Sequence, residues 1–446
     1  MSKLCGTIRQ REGQEMIYLK SIAQISAQEP LSDKWMTGNT VAQSGKEQIW
    51  RSIDADYAKF ISPMESRRMG KMLKRAVATS MTCLNECGVE HPDAIITGTG
   101  LGCVQHSEAV LVDLCYNGDD AVKPTNFMQS THNTISSLIG IRTHSHGYNC
   151  TYSQEGLSFE NALADAMTQL RNGRISNALV NSFDEISDKY FIILKKAGYV
   201  GAEGECPASE AAVSAFLDTD EENAICRVNG LKLCWCQDAD KQTEMLRRQL
   251  CSLMEEAGIR IEDIDFVLTG ENGDKRHDRV YANLCKKLLP GTPVARYKQL
   301  FGECLSASAL GFYVAASCFK HNCIPEVLFQ DGNSCNNGSS YGNSCDNSNG
   351  SSDGSSDGNS KSCDNGNSSN GDSCNGNDNN SNSCNGDSCN GDSCNGNDNN
   401  GNSSNGDSCN GDSCNREWIN GKKPQNILLL NHFRGMDFSL TLLSKK

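Results

Sequence analysis

The sequence predicts an α/β protein in which helices cover a mixed sheet. Two observations carry that expectation. Short apolar runs alternate with longer stretches of helical period along most of the chain. The same strand–helix scheme then runs a second time in the second half.

The elements follow in order. Met16 precedes the first strand-like run, Ile17–Ile22. Arg68–Leu84 has the period of an amphipathic helix. Ala94-Ile-Ile-Thr97 reads as a buried strand running into a glycine turn, Gly98–Gly102. A helix beginning at Gly156 places Phe159, Ala162, Leu163, Ala166, Met167 and Leu170 on one face and closes at Arg171-Asn-Gly-Arg174. Ala178-Leu-Val180 and Glu210–Leu217 read as strands. The second half offers a helix from about Lys241 to Ala257, a strand Asp265–Thr269 and a helix from about Asp278 to Leu289. Ala307–Phe319 is a helix of small residues suited to close packing at a centre. The last strands are Ile427–Leu430 and Phe438–Leu443.

Residues 331–415 break this scheme. Apart from Tyr341 and Lys361 they are Asp, Gly, Asn, Ser and Cys alone, with Asn-Gly-Asp-Ser-Cys five times over. Such a composition cannot bury enough apolar surface to offset its ordering entropy, so a disordered insertion is expected. The tract carries −11 of the net charge of −14, leaving −3 for the other 361 residues, which argues against a nucleic-acid surface. It also holds nine of the 24 cysteines. Its Cys spacing lacks paired Cys-x-x-Cys and histidine, so repeat expansion is preferred to soft-metal binding. The remaining cysteines, as at Cys251, Cys285 and Cys318, fall in apolar runs and read as small buried hydrophobes in a reducing compartment. No charged-then-apolar leader opens the chain, and no apolar run reaches the ~18 residues of a membrane helix. A cytoplasmic location is therefore expected. Residues 1–15 are polar and aperiodic, and read as a flexible arm.

Gly156 is the most informative position. A loop feeding the N-terminus of a buried helix is a favoured seat for a reactive thiolate, because the helix dipole lowers a thiol pKa and free amides can hold an oxyanion. Here that seat carries no side chain.

The segment from Gly147 to Glu185 resembles the nucleophile region of β-ketoacyl-acyl carrier protein synthases, of the thiolase superfamily. Their pattern places Thr-Ala-Cys at the start of a helix that ends in Gly-Arg-Ala-Asp. Counting back from Gly173-Arg174 puts the cysteine on Gly156, with Thr151 and Ser153 matching the approach and Gln154 and Glu155 replacing small residues. The family's Val-x-Ala-His-Gly-Thr-Gly-Thr matches Val267–Asp274, with Gly270 at the histidine. Its Lys-x-x-x-Gly-His matches Lys298–Glu303, keeping Lys298 and Gly302 but replacing the second histidine by Glu303. The closing Gly-Phe-Gly-Gly-Thr-Asn loop has become His432–Phe438, and Ser-Glu210-Ala-Ala resembles Gly-Glu-Gly-Ala.

The resemblance implies a duplicated thiolase-like fold of five layers (α-β-α-β-α). It divides the chain into an N-terminal half at 16–222, a C-terminal half at 223–330 and 416–446, and the insertion at 331–415 in a surface loop. Such a loop insertion costs only about 0.6 kcal/mol of closure entropy per doubling of length. It also implies that the cysteine and both histidines of the condensing reaction are lost. Glycine has no nucleophile, and an ionised carboxylate repels an enolate. The expected role is then a non-condensing subunit, a chain-length factor or scaffold beside an active ketosynthase, in fatty acid, polyketide or aryl polyene synthesis. Expected partners are acyl carrier protein and that ketosynthase, in a heterodimer with a homodimer as the alternative. No cofactor and no metal are implied. Phe127, Met128, His132, Gln154, Glu155 and Phe159 are the acyl-pocket or interface candidates, and Lys298, Gly302 and Glu210 the retained framework.

Competing readings stand beside this one. Ser153, Glu155 or Cys150 could rebuild an acyltransferase or thioester-hydrolase site on the same frame. The insertion could make the chain a self-associating interaction protein. His144-x-His146-x-x-x-Cys150 has ligand-like spacing but lacks a clear fourth ligand, so polar loop residues are preferred. His132, in Ser130-Thr-His-Asn133, is expected to be structural or interfacial. Ser158 is expected to cap the helix, with Glu160 in its first turn suiting the dipole. A thiol beside two imidazoles at the mouth of an apolar cavity would overturn the inactive reading.

Overall fold

The computed structural model describes residues 15–37, 40, 48–201, 204–329 and 422–446. The expected insertion, and the expected arm apart from Glu15, lie outside the described residues.

The first half comprises β1 (Tyr18–Ile25), the two-residue β2 (Ile49–Trp50), α1 (Pro63–Ser66), α2 (Lys71–Cys87), β3 (Ala94–Gly102), α3 (Val104–Asn117), α4 (Pro124–Gln129) and α5 (Thr134–Arg142). It continues with β4 (Tyr148–Tyr152), α6 (Ser158–Arg171), β5 (Asn177–Asp184), α7 (Asp188–Lys196), β6 (Ala208–Ser209) and β7 (Ala211–Asp218). The second half comprises β8 (Cys226–Trp235), α8 (Ala239–Ala257), β9 (Phe266–Thr269), α9 (Lys275–Leu288) and β10 (Val294–Arg296). After these come α10 (Lys298–Phe301), α11 (Ala307–Lys320), β11 (Asn426–Phe433) and β12 (Asp437–Ser444).

Ten strands form a sheet in the order β10-β9-β11-β12-β8-β1-β7-β5-β3-β4. Two copies of one pattern meet at its middle. In the first half β4/β3/β5 are parallel, with β7 and β1 antiparallel beyond. In the second β10/β9/β11 are parallel, with β12 and β8 antiparallel beyond. Only Tyr18 and Leu19 of β1 register with β8. The duplication implied by the resemblance is thus present strand for strand.

The helices complete the layers. α2 packs on β1, β7 and β5 on one outer side, and α8 on β8 and β12 on the other. Both amphipathic helices end at a left-handed glycine, Gly88 (φ 65°) and Gly258 (φ 68°). Between the two halves of this sheet lie α6 and α11, where the Phe159 and Phe312 rings are 5.5 Å apart. Every residue of α11 from Ala307 to Phe319 is buried, as its small-residue composition predicts. This is the α-β-α-β-α arrangement.

Several expectations are corrected. Gly98–Gly102 belongs to strand β3 rather than to a turn, because Ile95–Gly98 pair with β5 and Gly102 re-pairs with Asp184 across a bulge. The approach to the Gly156 helix contains edge strand β4. The first helix is shifted to Lys71–Cys87, and α9 starts at Lys275, where Asp274 caps it. Sequence inspection missed, among other elements, α3, α4, α5, α7 and β8. Cys285 and Cys318 are buried, but Cys251 is exposed on the outer face of α8.

Candidate functional site

Gly156, Gly270 and Glu303 lie far apart in sequence and meet at one cavity of about 260 Å³, the first beside it and the other two in its wall. Each is delivered by the duplicated frame. Gly156 lies in the single 3-10 turn Glu155–Leu157 that leads into α6. Gly270 directly follows β9, and Glu303 follows α10.

Gly156, the expected nucleophile position, is covered rather than merely bare. A β-carbon built on Gly156 would lie 2.5 Å from Cδ2 of Phe433 and 3.1 Å from its Cγ. The phenyl ring at the end of β11 therefore packs directly on the glycine. Gly270, the expected first histidine position, is covered likewise. A β-carbon on Gly270 would meet the Tyr281 hydroxyl at 2.7 Å, Oδ1 of Asn431 at 2.8 Å and the Tyr297 hydroxyl at 3.3 Å. These groups are already engaged. Tyr297 Oη donates to Asn431 Oδ1 at 3.0 Å, and Tyr281 Oη accepts from the His432 amide at 3.0 Å.

Glu303, at the expected second histidine position, belongs to a charge pair. Lys298 Nζ donates to both oxygens of Glu303, at 2.9 and 2.7 Å, and Asn272 Nδ2 donates to Oε2 at 2.7 Å. The two side chains are 11% and 17% exposed, so the ammonium is matched inside the wall rather than presented to a ligand. Gly302 fixes this turn. Its φ of 79° and its approach to the Ser209 β-carbon (2.6 Å for a built Cβ) leave room for glycine alone.

Other titratable groups line the cavity. Asp184, at the end of β5, accepts from Leu101 N (2.6 Å), Gly100 N (3.2 Å), Thr99 Oγ1 (3.1 Å) and Ser306 Oγ (2.5 Å). Burial pushes its carboxyl pKa up, and these donors oppose that. Glu185 accepts from Gln105 N in the first turn of α3 at 3.0 Å, and burial raises its pKa to about 7.

A thiol and two imidazoles do lie here: Cys304, His277 and His432 all line the cavity. They do not form an activated set. Burial, then the nearby Asp184 and Glu303, push the Cys304 thiol up to about 12. Both nitrogens of His432 are used: Nδ1 accepts from Gly435 N at 3.1 Å, and Nε2 donates to the His277 carbonyl at 3.1 Å. The His432 ring stacks on Tyr281 at 4.2 Å, and burial lowers its pKa to about 3. It is a neutral, wedged imidazole. His277 Nδ1 lies 3.3 Å from Asp274. Sequence reading had His432 only as part of a degenerate loop, and missed Cys304 and His277. Nothing in their spacing marks them, because the cavity forms only when α9, α10 and the β11–β12 turn meet.

The other candidates scatter. Of Ser153, Glu155 and Cys150, Glu155 alone lines the cavity. Cys150 lies on edge strand β4. Phe159 is buried in the core, whereas Phe127 and Met128 are 61% and 70% exposed on α4, away from the cavity. His132 is exposed and packs by Gly102, and Gln154 is exposed. Glu210 is a framework residue: its buried carboxylate pairs with the buried Arg75 guanidinium at 2.8 Å. Ser158 does not cap α6. Its hydroxyl accepts from Gln154 N and donates to the Glu155 carbonyl, both at 2.8 Å, tying down the preceding turn. Glu160 does stand in the first turn of α6. It is buried between Ser308 of α11 and Ser439 of β12, which donate to it at 2.8 and 2.9 Å. Among the described residues no group of three or more His, Cys, Asp or Glu could hold a metal, and no helix is long and apolar enough to cross a membrane.

Comparisons with known proteins agree with this frame. Residues 35–252 match the family model described as β-ketoacyl synthase, N-terminal domain. No curated protein sequence matches. The ishigamide ketosynthase/chain length factor superposes with a TM-score of 0.59 at 18% identity, covering 70% of this chain and 88% of that one. A β-ketoacyl synthase from Burkholderia phymatum gives 0.64 at 10% identity over 97% of this chain and 100% of that one. A structure of a type II polyketide synthase acyl-carrier protein in complex with its ketosynthase gives 0.62 at 10%, with coverage of 97% and 100%. Residues 35–252 thus resemble a β-ketoacyl synthase N-terminal domain, and the chain shares the fold of these ketosynthase structures.

Proposed function

We propose that this chain is a non-condensing ketosynthase-like subunit, acting as chain-length factor or scaffold for an active ketosynthase in carrier-protein-dependent fatty acid, polyketide or aryl polyene synthesis. The packing of the Phe433 ring on Gly156 carries the reading. An acyl thioester needs a thiolate at that point, and the space is occupied by carbon. Gly270 adds to it, since three polar side chains hold the volume an imidazole would need. At the third position the Lys298–Glu303 pair supplies no neutral donor for a developing enolate.

The partner surface in this reading runs along the first half. Edge strand β4 pairs with β3 alone among the described residues, and α4, separated from it in the chain by α5, exposes Phe127 and Met128. An active ketosynthase would cover both. Acyl carrier protein would deliver chains to that partner, and this subunit would limit their length sterically. The domain boundaries follow the duplicated frame, with halves at 16–222 and at 223–330 plus 416–446.

The test is incubation with acyl- and malonyl-carrier protein, followed by intact-mass spectrometry and measurement of released carbon dioxide. The expected result is neither a covalent adduct nor decarboxylation by the chain alone. An acyl adduct mapped to Cys304, Ser153 or any other residue would overturn the reading and favour a rebuilt acyltransferase.

A further inference from the structure

A second cleft lies at the far end of the strands that carry the candidate site. It is open, has a volume of about 970 Å³ and shares no lining residue with the cavity. It is lined by the segment entering β3, His91–Asp93, and by Gly147 and Tyr148 at the start of β4. The cavity is lined by Gly100 and Leu101 near the other end of β3, roughly 23 Å along the strand from Asp93.

Four nitrogen-bearing side chains from three stretches of chain meet in this cleft. His91 comes from the turn before β3, His144 and His146 from the α5–β4 loop, and Arg174 from the turn after α6. Three of the chain's eight histidines are thus gathered at one place, and all four side chains are exposed. The stretches are laced together. Ser145 Oγ donates to the Pro92 carbonyl at 2.7 Å, and Tyr148 N donates to the Asp93 carbonyl at 2.9 Å. His91 Nδ1 donates to the Thr143 carbonyl at 2.5 Å, which leaves Nε2 as its free nitrogen. The neighbouring carboxylates are engaged or peripheral. Asp93 Oδ2 accepts from Ser176 N at 2.8 Å, and Glu90, 89% exposed, stands 3.9 Å from His91 Nε2. The Arg174 guanidinium pairs with no carboxylate among the described residues.

Imidazoles in a cleft suit either a metal ion or an anion. Among the described residues no three His, Cys, Asp or Glu stand close enough to share a metal. Separated donors suit a group with several acceptor oxygens, each taking its own hydrogen bond. Arg174 adds a permanent positive charge, which favours an anion and opposes a cation. The chain carries a net charge of −14, so it holds an anion only where local charge reverses that field. The cleft is also at the upper end of the size range of small-molecule sites. We propose that the cleft formed by His91, His144, His146 and Arg174 binds the phosphate group of a small soluble molecule. The site lies outside the cavity, so it stands or falls apart from the non-condensing reading.

The test is titration calorimetry of the full chain with inorganic pyrophosphate at about pH 6, where imidazole carries charge. Saturable binding at one site is expected. Arg174→Gln, and His144→Gln with His146→Gln, are each expected to weaken it about two- to fivefold, the range that exposed charge contacts support. All three changes together are expected to abolish it. These side chains are exposed, so their replacement leaves the core intact. Lys445→Gln with Lys446→Gln, in a separate recess, is expected to leave binding unchanged. Absence of saturable binding, or equal weakening by the lysine variant, would overturn the proposal. So would zinc binding that is lost in the histidine variant and unaccompanied by pyrophosphate binding, since the cleft would then be a metal site.

Discussion

Placing a cysteine at Gly156, where the proposed reading expects the family's nucleophile, is the sharpest perturbation of this site. Gly156→Cys adds a β-carbon 2.5 Å from one carbon of the Phe433 ring and 3.1 to 3.2 Å from two more. Ordinary carbon–carbon contact begins near ~3.5 Å, so the overlap is about 1 Å at the closest atom. The backbone at Gly156 is not in the positive-φ region, so the cost comes from contact and not from conformation. Overpacking of this kind destabilises by about 1–3 kcal/mol. Phe433 stands at the end of β11 and is partly exposed, so Phe433→Ala alone should cost little, and the double variant should recover most of the loss. The assay is a double-mutant cycle by urea denaturation, with acyl-carrier protein loading measured on each variant. The cycle should give a coupling of at least about 1 kcal/mol, and loading should stay absent in Gly156→Cys itself. If Gly156→Cys is as stable as the unaltered protein, or loads an acyl chain with Phe433 in place, the occluded-site argument is refuted.

Two further outcomes follow from the wall of the cavity. Glu303→Gln leaves the Lys298 ammonium without its carboxylate in a largely buried setting and should destabilise by about 3 kcal/mol, while Lys298→Met with Glu303→Gln should recover much of that; paired denaturation curves check both. His432 has a folded pKa of about 3 against an unfolded value near 6.5, so the unfolded chain binds its proton first and stability falls as pH drops from 6.5 towards 3. Between pH 7 and pH 5 this residue should account for up to about 2 kcal/mol of lost stability, seen as a smaller pH slope in His432→Gln.

The layered frame was legible because its strands and buried helices repeat their periods without interruption. Ala307–Phe319 and Ile427–Leu430 are nearly all apolar or small, and both proved central. Helices α3, α4 and α5 were not legible. They bury little on their outer faces: α3 exposes Leu111, Leu114 and Tyr116, which blurs the amphipathic stripe. The glycines of β3 misled in the other direction. Gly98 is a strand residue because the Ser158 carbonyl lies 2.3 Å from where its β-carbon would be, so close packing rather than turning requires it. At the site, the empty positions could be counted from sequence, but their filling could not. That Phe433 and Asn431 take up space beside Gly156 and Gly270 depends on contacts across more than 150 residues of chain.

The strand order has a consequence for how the molecule is made. Strands β11 and β12 stand between β9 and β8, yet they follow all the other described elements in sequence. Until they emerge, the second half has a gap where its middle should be, with β9 and β10 on one bank and β8 on the other. The first half suffers no such delay, since β1 through β7 are all present by Asp218. Synthesis therefore yields a finished half waiting on an unfinished one, with the faces of α11 and α8 uncovered meanwhile. Shortening the chain by even β12 would leave that seam open for good.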